Sequence, residues 1–548
     1  MKNKIILAFI VINFFNQLSG FAADSINIAV VQEWDVFHPV TVQTSASESF
    51  MHFLFRDMIY RDENGQVHAD LAVEVPNFKN KLIKIITQNN KQFILANWEI
   101  KKNAVWSDGK PIICNDWILG WKVGLSEKVA KTEINIYTKI SKIENDAKNP
   151  KKCKVTYSDA SWTYDRDLPP LLPSHLESEI FQNKNNKQGE YEQHSNYVSQ
   201  PTKQGLYSGP YKISEIKIGS HFILTENAFF WGKKPTIKKI IVKHIPNTST
   251  LRSYILSNEI NSIASVGFSP DLALQFDQDK SLKNYKVHFK NAPLFQAIFF
   301  NNEDPILSNK NVRKALAWAI NKKNITDTFL LGKLNPAETI MSEADPAFVH
   351  RKASYNVDKA NRILDAEGWI KNASGIREKN GVRLEVVFKT SAGIKLYENI
   401  QLVICDDFKK IGVVCRIKNE PPRMLLSTTI PRGDFQIAMF GQNTYPDTSL
   451  KGLYSSLEIP YQKNNWTGGN IIRMKNEQLD KLLNKYDNEW DSKKRIQLIQ
   501  KIENIIFDDA VIVPIYHRRE AFLSPRLMSG IQSGLKGTAI VFPEFWKM

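Results

Sequence analysis

The stretch WEIKKNAVWSDGKPIICNDWILGW, from Trp98 to Trp121, decides how the rest of the chain is read. Just before and into it, Ile94, Ala96, Trp98 and Ile100 alternate with Leu95, Asn97, Glu99 and Lys101. A mostly apolar face therefore opposes a mostly polar one at period two, which predicts a half-buried strand. Ser107-Asp108-Gly109 is turn chemistry, since Asp bonds nearby backbone and Gly tolerates positive φ. Asn115 and Asp116 can cap a helix, and Trp117, Ile118 and Trp121 follow at helical spacing. The segment reads as strand, turn and helix, a well-ordered corner without catalytic chemistry of its own.

The chain opens MKNKIILAFIVINFFNQLSGFAAD. Lys2 and Lys4 form a positive start, Ile5 to Phe15 an apolar run, and Gly20-Phe21-Ala22 a small-residue cleavage site. This is the pattern of a secretory leader (residues 1–22), too short to span a membrane. No Cys follows the cut, so no lipid anchor is expected and the processed chain is expected free in a periplasm-like space. Roughly 525 residues remain, more than one core usually serves, so two or three domains are expected. The formal charge is +16, and removing the two leader lysines leaves +14. The lysines are scattered and no zinc-finger or RRM pattern appears, so the charge reads as solvated surface and nucleic acid is not an expected partner.

Four cysteines, Cys114, Cys153, Cys405 and Cys415, permit three connectivities in an exported chain. Cys405 on a helix over 396–410 and Cys415 on the strand after Gly412 suit a local pair. Cys114 and Cys153 share the segment after the turn and form the second expected pair. No Cys/His spacing suits a structural zinc, and no cofactor is expected. The nucleophile-elbow, zinc-protease, phosphate-loop and dinucleotide patterns are all missing from the sequence, so an enzyme is not expected.

The string itself, with Trp106–Pro111 (WSDGKP) and Asp116, resembles the strand–turn–helix signature of the family 5 extracellular solute-binding proteins. These are the binding subunits of oligopeptide, dipeptide and nickel ABC importers. Further pieces resemble the family in the same order. Phe37-His38-Pro39 stands where Leu-Asp-Pro is usual, before an expected helix over 50–60 and a D-x-x-G hairpin at 62–65. Ser208–Tyr211 with Asn227, Trp231 and Gly232 is similar to the G-P-Y … N-x-x-Y-W-G string, and Val312–Asn321 (VRKALAWAIN) to V-R-x-A-l-x-x-A-I-D. Leu384–Lys389, Leu396–Lys410 and Val413–Ile417 read as a β-α-β unit with a parallel pair. Residues 181–204 are polar and read as a surface loop, and two amphipathic helices are expected over 479–490 and 492–507.

The resemblance implies an α/β, two-lobed periplasmic-binding-protein clamshell (class II, large type with an extra subdomain), with mixed sheets flanked by helices and a two-strand hinge. Lobe 1 would comprise 23–62, 173–293 and 512–548, with 63–172 as its satellite subdomain. Lobe 2 would comprise 294–511, with crossing strands near 293 and 511. Closure around a ligand is a standard switching mode of such lobes.

For the cleft, the resemblance implies three sets of residues. Gln43, Thr44 and Ser45 would expose strand-like backbone to an extended ligand. Phe440–Asp447 (FGQNTYPD), with Gln442, Asn443, Thr444 and Asp447, resembles the family's W-x-x-D-Y-x-[DE]-P loop, whose first Asp pairs with a peptide's α-amino group. Thr444 occupies that place here, and a hydroxyl does not supply the charge-assisted bond of a carboxylate, worth about 1.5–3 kcal/mol. Trp121, Phe295 and Tyr516 are expected aromatic walls. Lys389, and Lys395 beyond Thr390-Ser391, are expected cations for the ligand's far end.

The expected function is that of a monomeric solute-binding protein that traps oligopeptides or peptide-like solutes and docks transiently on an inner-membrane ABC permease. A non-peptide solute (sugar, opine, haem or metal chelate) is the alternative on the same fold. An envelope hydrolase or a chaperone-like binder is the alternative of another class.

Overall fold

The computed structural model describes residues 24–548 except 43, 132–133, 186, 344, 350, 352–354, 447, 465, 467 and 534–539. The leader expected at 1–22 therefore lies outside the described residues, as do Gln43 and Asp447.

Ten strands build one mixed sheet. They are β1 (Ser25–Val30), β2 (Tyr211–Lys217), β3 (His221–Glu226), β4 (Lys239–His244), β5 (Ser262–Ile263), β6 (Tyr285–Phe300), β7 (Glu385–Thr390), β8 (Val414–Ile417), β9 (Ile437–Asn443) and β10 (Ile512–Pro525). Their order across the sheet is β8-β7-β9-β6-β10-β5-β1-β4-β3-β2. The sheet thus has a first half around β1 and a second half around β9, and the long antiparallel strands β6 and β10 run through both. Their ladder slips between Asn291 and Phe295, opposite Arg519 and His517, and again between Gln296 and Ala297. Beyond the slip, β6 is buried on both faces: Ile298 and Phe300 enter one core, Ala297 and Phe299 another. That is why Leu294–Phe300 reads as a nearly unbroken apolar run.

The parallel pairing of β7 with β8 follows the expected β-α-β unit, with helix Lys395–Lys410 as its crossover. The Ser208–Tyr211 corner leads into the β2–β3 hairpin as expected. Several expectations need correction. The helix over 50–60 is a single turn, Met51–Leu54, because the chain then extends to pair Ile59–Arg61 with Val67–Ala69. The polar stretch 181–204 is not a loop. It holds the end of helix Ser174–Lys184 and the short helices Glu190–His194 and Asn196–Ser199, tied down by buried Tyr191 and Tyr197. Val513, Ile515 and Tyr516 of β10 pack in the core that also holds Ile298 and Phe300. The helix expected over 479–490 stops at Asp487.

Residues 83–157 carry a separate four-stranded antiparallel sheet: Ile83–Gln88, Lys91–Glu99, Lys152–Tyr157 and Ile140–Asn145, in that order. Helix Cys114–Leu125 closes it over a core that includes Trp98, Trp106 and Trp117, with the Trp98 and Trp117 rings edge-on at 5.7 Å. The Cys114–Cys153 disulfide joins that helix to the sheet, and Cys405–Cys415 joins the crossover helix to β8.

The 98–121 stretch owes its order to Asp116. Its Oδ2 accepts from Trp106 Nε1 and from the Ile113 amide, both at 2.9 Å, so it satisfies a free donor at the helix start. Its Oδ1 accepts from the Ser174 amide at 2.8 Å and the Ser174 hydroxyl at 2.6 Å, where the chain returns to the first half. Burial raises this carboxyl's pKa, against the pull of those four donors. Ser107 completes the seam: its Oγ accepts from the Gly205 amide at 2.9 Å.

Candidate functional site

The crossing of β6 and β10 is where residues of both halves meet. On one face, Gln296 sits opposite Gly441 of β9 on one side and Tyr516 of β10 on the other. Gln296 is fully buried, yet neither its amide nitrogen nor its amide oxygen has a protein hydrogen-bond partner. A Cβ on Gly441 would meet Leu294 Cδ1 at 3.1 Å and would only touch Gln296 Oε1, at 3.5 Å. Arg518 follows two positions after Tyr516. Burial works to lower its pKa, but Tyr397, Glu520 and Tyr516 together raise it. Tyr397 lies on the second half's crossover helix, while Asp271, on the first half's helix Pro270–Gln278, also acts on Tyr516. Groups from both halves thus act electrostatically on Tyr516 and Arg518.

On the opposite face, Phe295 is paired with Gln442 of β9 and packs at 6.3 Å from the His517 ring. Phe348 approaches the same ring at 6.2 Å. Burial pushes the His517 pKa down to about 4, against the bond that the ring donates to the Thr339 backbone carbonyl. Its Nε2 is buried without a partner. Thr444 is 2 % exposed; its amide donates to Pro293 O at 2.7 Å, and its hydroxyl has no well-aligned partner. The Tyr454 phenol beside it donates to Gln442 Oε1 at 3.2 Å.

The segment after β9 also meets the first half. Arg61, on the Ile59–Arg61 strand, donates to Pro446 O and, at 3.4 Å, to Thr448 Oγ1. The four-stranded module reaches the second half as well. Trp162 belongs to a second-half core, donates from Nε1 to Tyr486 O at 3.1 Å, and lies under the Arg495 guanidinium at 3.9 Å.

The residues singled out from sequence divide accordingly. The crossing gathers Phe295, Gln442, Thr444 and Tyr516, with Asn443 exposed at the end of β9. Phe295 and Tyr516 are each 1 % exposed and belong to cores, so they are not open aromatic walls. Ser45 opens the single helical turn Ser45–Glu48. Thr44 keeps extended backbone (φ −92°, ψ 141°) but caps that turn, and its hydroxyl is engaged with Asp35 Oδ1 at 2.8 Å. Trp121 packs between the first-half core and the satellite core and donates to Tyr137 O at 3.1 Å. Lys389 is ion-paired with Glu420 at 2.5 Å, and Lys395 with Glu398 at 2.9 Å. Gln296, His517, Arg518 and Arg61 were missed. The signals were there: one Gln inside LFQAIFF, and His-Arg-Arg-Glu at 517–520 interrupting an apolar strand.

Two sheet halves joined by two crossing strands, with buried polar groups left open at the crossing, define a hinged, two-lobed binding protein. The chain belongs to the bacterial extracellular solute-binding proteins, family 5, whose model matches residues 96–460. It is 22 % identical over 533 residues to the oligopeptide-binding protein AppA of Bacillus subtilis (strain 168), covering 95 % of this chain and 91 % of that one. The fold superposes with TM-score 0.74 on the oligopeptide-binding protein of Thermus thermophilus complexed with a pentapeptide (21 % identity, 96 % and 95 % coverage). It superposes with TM-score 0.77 on NikA of Brucella suis in complex with Fe(III)-EDTA (17 % identity, 95 % and 99 % coverage). Among the described residues no helix is long and apolar enough to cross a membrane, and no group of three His, Cys, Asp or Glu side chains could hold a metal ion.

Proposed function

We propose that this chain captures oligopeptides in the cleft between its two lobes and delivers them to an inner-membrane ABC permease without catalysing a reaction on them. In this reading lobe 1 comprises 23–62, 173–293 and 512–548, with 63–172 as its satellite, and lobe 2 comprises 294–511. Residues 1–22 are a cleaved leader, and the processed protein is a free periplasmic monomer. The observation that carries the reading is the crossing itself. Unpartnered hydrogen-bonding groups of Gln296 and His517 are buried where the two halves join. A ligand that bonds both lobes favours the closed form through that difference in affinity. The relatives bearing oligopeptide-binding names, over almost the whole chain, support peptides as the solute class.

Mass spectrometry of the solute released from protein purified without refolding tests this. Peptides in the released fraction are the expected result. A released metal chelate or sugar would remove the peptide assignment and leave the capture mechanism standing.

A further inference from the structure

The loop after β3, NAFFWGKKP at 227–235, sets three aromatic residues in a row. Its shape is fixed from within. Asn227 Nδ2 donates to Gly209 O at 2.9 Å, Asn227 Oδ1 accepts from the Phe229 amide at 3.0 Å, and Lys234 Nζ donates to Ala228 O and Phe230 O, both at 2.6 Å. Phe230 is buried beneath the Arg56 guanidinium, 5.4 Å from its ring centre. Phe229 then points outward across Gly109 of the corner and is 50 % exposed. The end of the chain repeats the pattern. Glu544 is ion-paired with Arg56 at 2.6 Å, Trp546 is fully buried, and Phe545 between them is 36 % exposed. Buried neighbours fix both segments, so neither phenylalanine can turn inward.

Ammonium groups surround these rings. Lys233 Nζ stands 4.7 Å over the Phe545 ring and Lys101 Nζ 5.0 Å over the Trp231 ring. Lys102 and Lys110 are exposed beside Lys101 and Gly109. Among the described residues no carboxylate is ion-paired with these four lysines, and Asp108, in the same turn, is spent on His175 at 2.9 Å. We propose that this face docks reversibly on an anionic phospholipid surface, with Phe229 and Phe545 in the headgroup layer and Lys101, Lys102, Lys110 and Lys233 against the phosphates. Apolar surface rimmed by charge marks an interaction site. Aromatic rings with lysines beside them suit a membrane interface, where the ring sits at headgroup depth and the ammonium reaches the lipid phosphate. An acidic protein surface would meet the lysines and leave the two phenylalanines wet; a bilayer interface takes up both. The inference goes beyond solute capture and holds whatever the solute is. A loose hold of this kind keeps a loaded protein in the plane where a permease is found.

The test sediments the full processed chain with vesicles of phosphatidylcholine alone and of phosphatidylcholine mixed with phosphatidylglycerol, at low and high salt. The variants are Phe229→Ser with Phe545→Ser, Phe229→Leu with Phe545→Leu, and Lys102→Gln with Lys110→Gln and Lys233→Gln. Expected is binding to the mixed vesicles that weakens with salt, at least fivefold above binding to phosphatidylcholine alone. The serine pair and the glutamine triple are each expected to bind at least fivefold more weakly than wild type. The leucine pair, which keeps the apolar surface, is expected within twofold of wild type. Wild-type binding that does not distinguish the two vesicles overturns the inference. So does a serine pair within twofold of wild type, because the contact is then charge alone and an acidic protein surface fits it as well. A glutamine triple within twofold also overturns it, as does a leucine pair that loses as much as the serine pair, since the rings then serve the fold. Co-purified solute, read by native mass spectrometry, is expected at equal occupancy in all forms, so failure on vesicles leaves solute capture standing and the reverse holds too.

Discussion

The corner around Asp116 and the crossing around Gln296 are both buried and both polar, but they are built to opposite ends. At the corner, one carboxylate meets four donors from three parts of the chain: Trp106 in the turn, Ile113 at the helix start and Ser174 on the return strand of sequence. At the crossing, the Gln296 amide and His517 Nε2 are buried and have no hydrogen-bond partner in the protein. Buried polar groups cost free energy unless bonded. A chain that satisfies them at one place and leaves them open at another separates what holds it together from what it holds. Substitutions at the two places are therefore expected to move different observables.

The largest effect belongs to the corner. Asp116→Ala strands four buried donors and is expected to lower stability by roughly 3–5 kcal/mol, read as a lower urea midpoint. Asp116→Asn keeps one acceptor oxygen and should recover part of that loss. An Asp116→Ala variant with an unchanged midpoint would erase the contrast. Next is Trp162, 4 % exposed, which carries the satellite module into a second-half core. Trp162→Ala is expected to cost about 3 kcal/mol. Because the contact joins the module to the other half, the variant should also be cut by protease near residues 158–168 faster than wild type. Equal cleavage rates would place the module's hold elsewhere.

The corner was legible in the sequence and the crossing was not, for a physical reason. Asp116 meets Trp106 and Ile113 close by in the chain, so those two roles are carried by residue type and spacing, whereas its bonds from Ser174 have no local signature. The parallel β7–β8 unit and the helix cap at Asn356, whose Oδ1 accepts from the Lys359 amide at 2.8 Å, are local in the same way. The helix expected over 50–60 failed because a pairing partner, Val67–Ala69, overrides the periodicity after Leu54. The cleft depends on contacts hundreds of residues apart. Tyr516 reads as a hinge aromatic and Thr44 as an open loop residue, yet only tertiary contact shows the first sunk in a core and the second spent on Asp35. Arg61 reaching Pro446 has no local signature at all.

His517 gives the crossing an acid sensitivity that the corner's bonds do not share. Burial holds its folded pKa near 4, and the ordinary value is 6.5. Between those values the unfolded chain carries the extra proton, so the stability from neutral His517 is complete above pH 6.5 and is lost as pH falls toward 4. The ring is partly accessible, so a contribution of about 1–2 kcal/mol across that window is expected after solvent screening. The pH dependence of thermal unfolding in His517→Phe, subtracted from that of wild type, checks it. His38 and His288 are also held low by burial, to about 3 and about 4, and contribute equally to both curves. A flat difference between pH 4 and 6.5 would show that His517 accepts its proton without cost.

The smallest effect is the one that separates a cation for the ligand from a cation for the fold. Lys389 is the last residue but one of β7, and the sequence invites it to meet a carboxylate of the solute. It meets Glu420 instead, at 2.5 Å, with both side chains under a fifth exposed. Burial would raise the Glu420 carboxyl, but the bonds from Lys389 and from the Thr429 hydroxyl hold it below its ordinary value. A half-buried, well-made pair of this kind contributes about 1 kcal/mol. Lys389→Met should therefore lower the urea midpoint slightly and leave solute occupancy where it is. The paired change Lys389→Met with Glu420→Gln should regain most of that stability, because no charge is then left without its partner. If Lys389→Met instead empties the protein of its co-purified solute while folding as wild type does, Lys389 leaves Glu420 on closure, and the open groups at the crossing extend to the edge of β7.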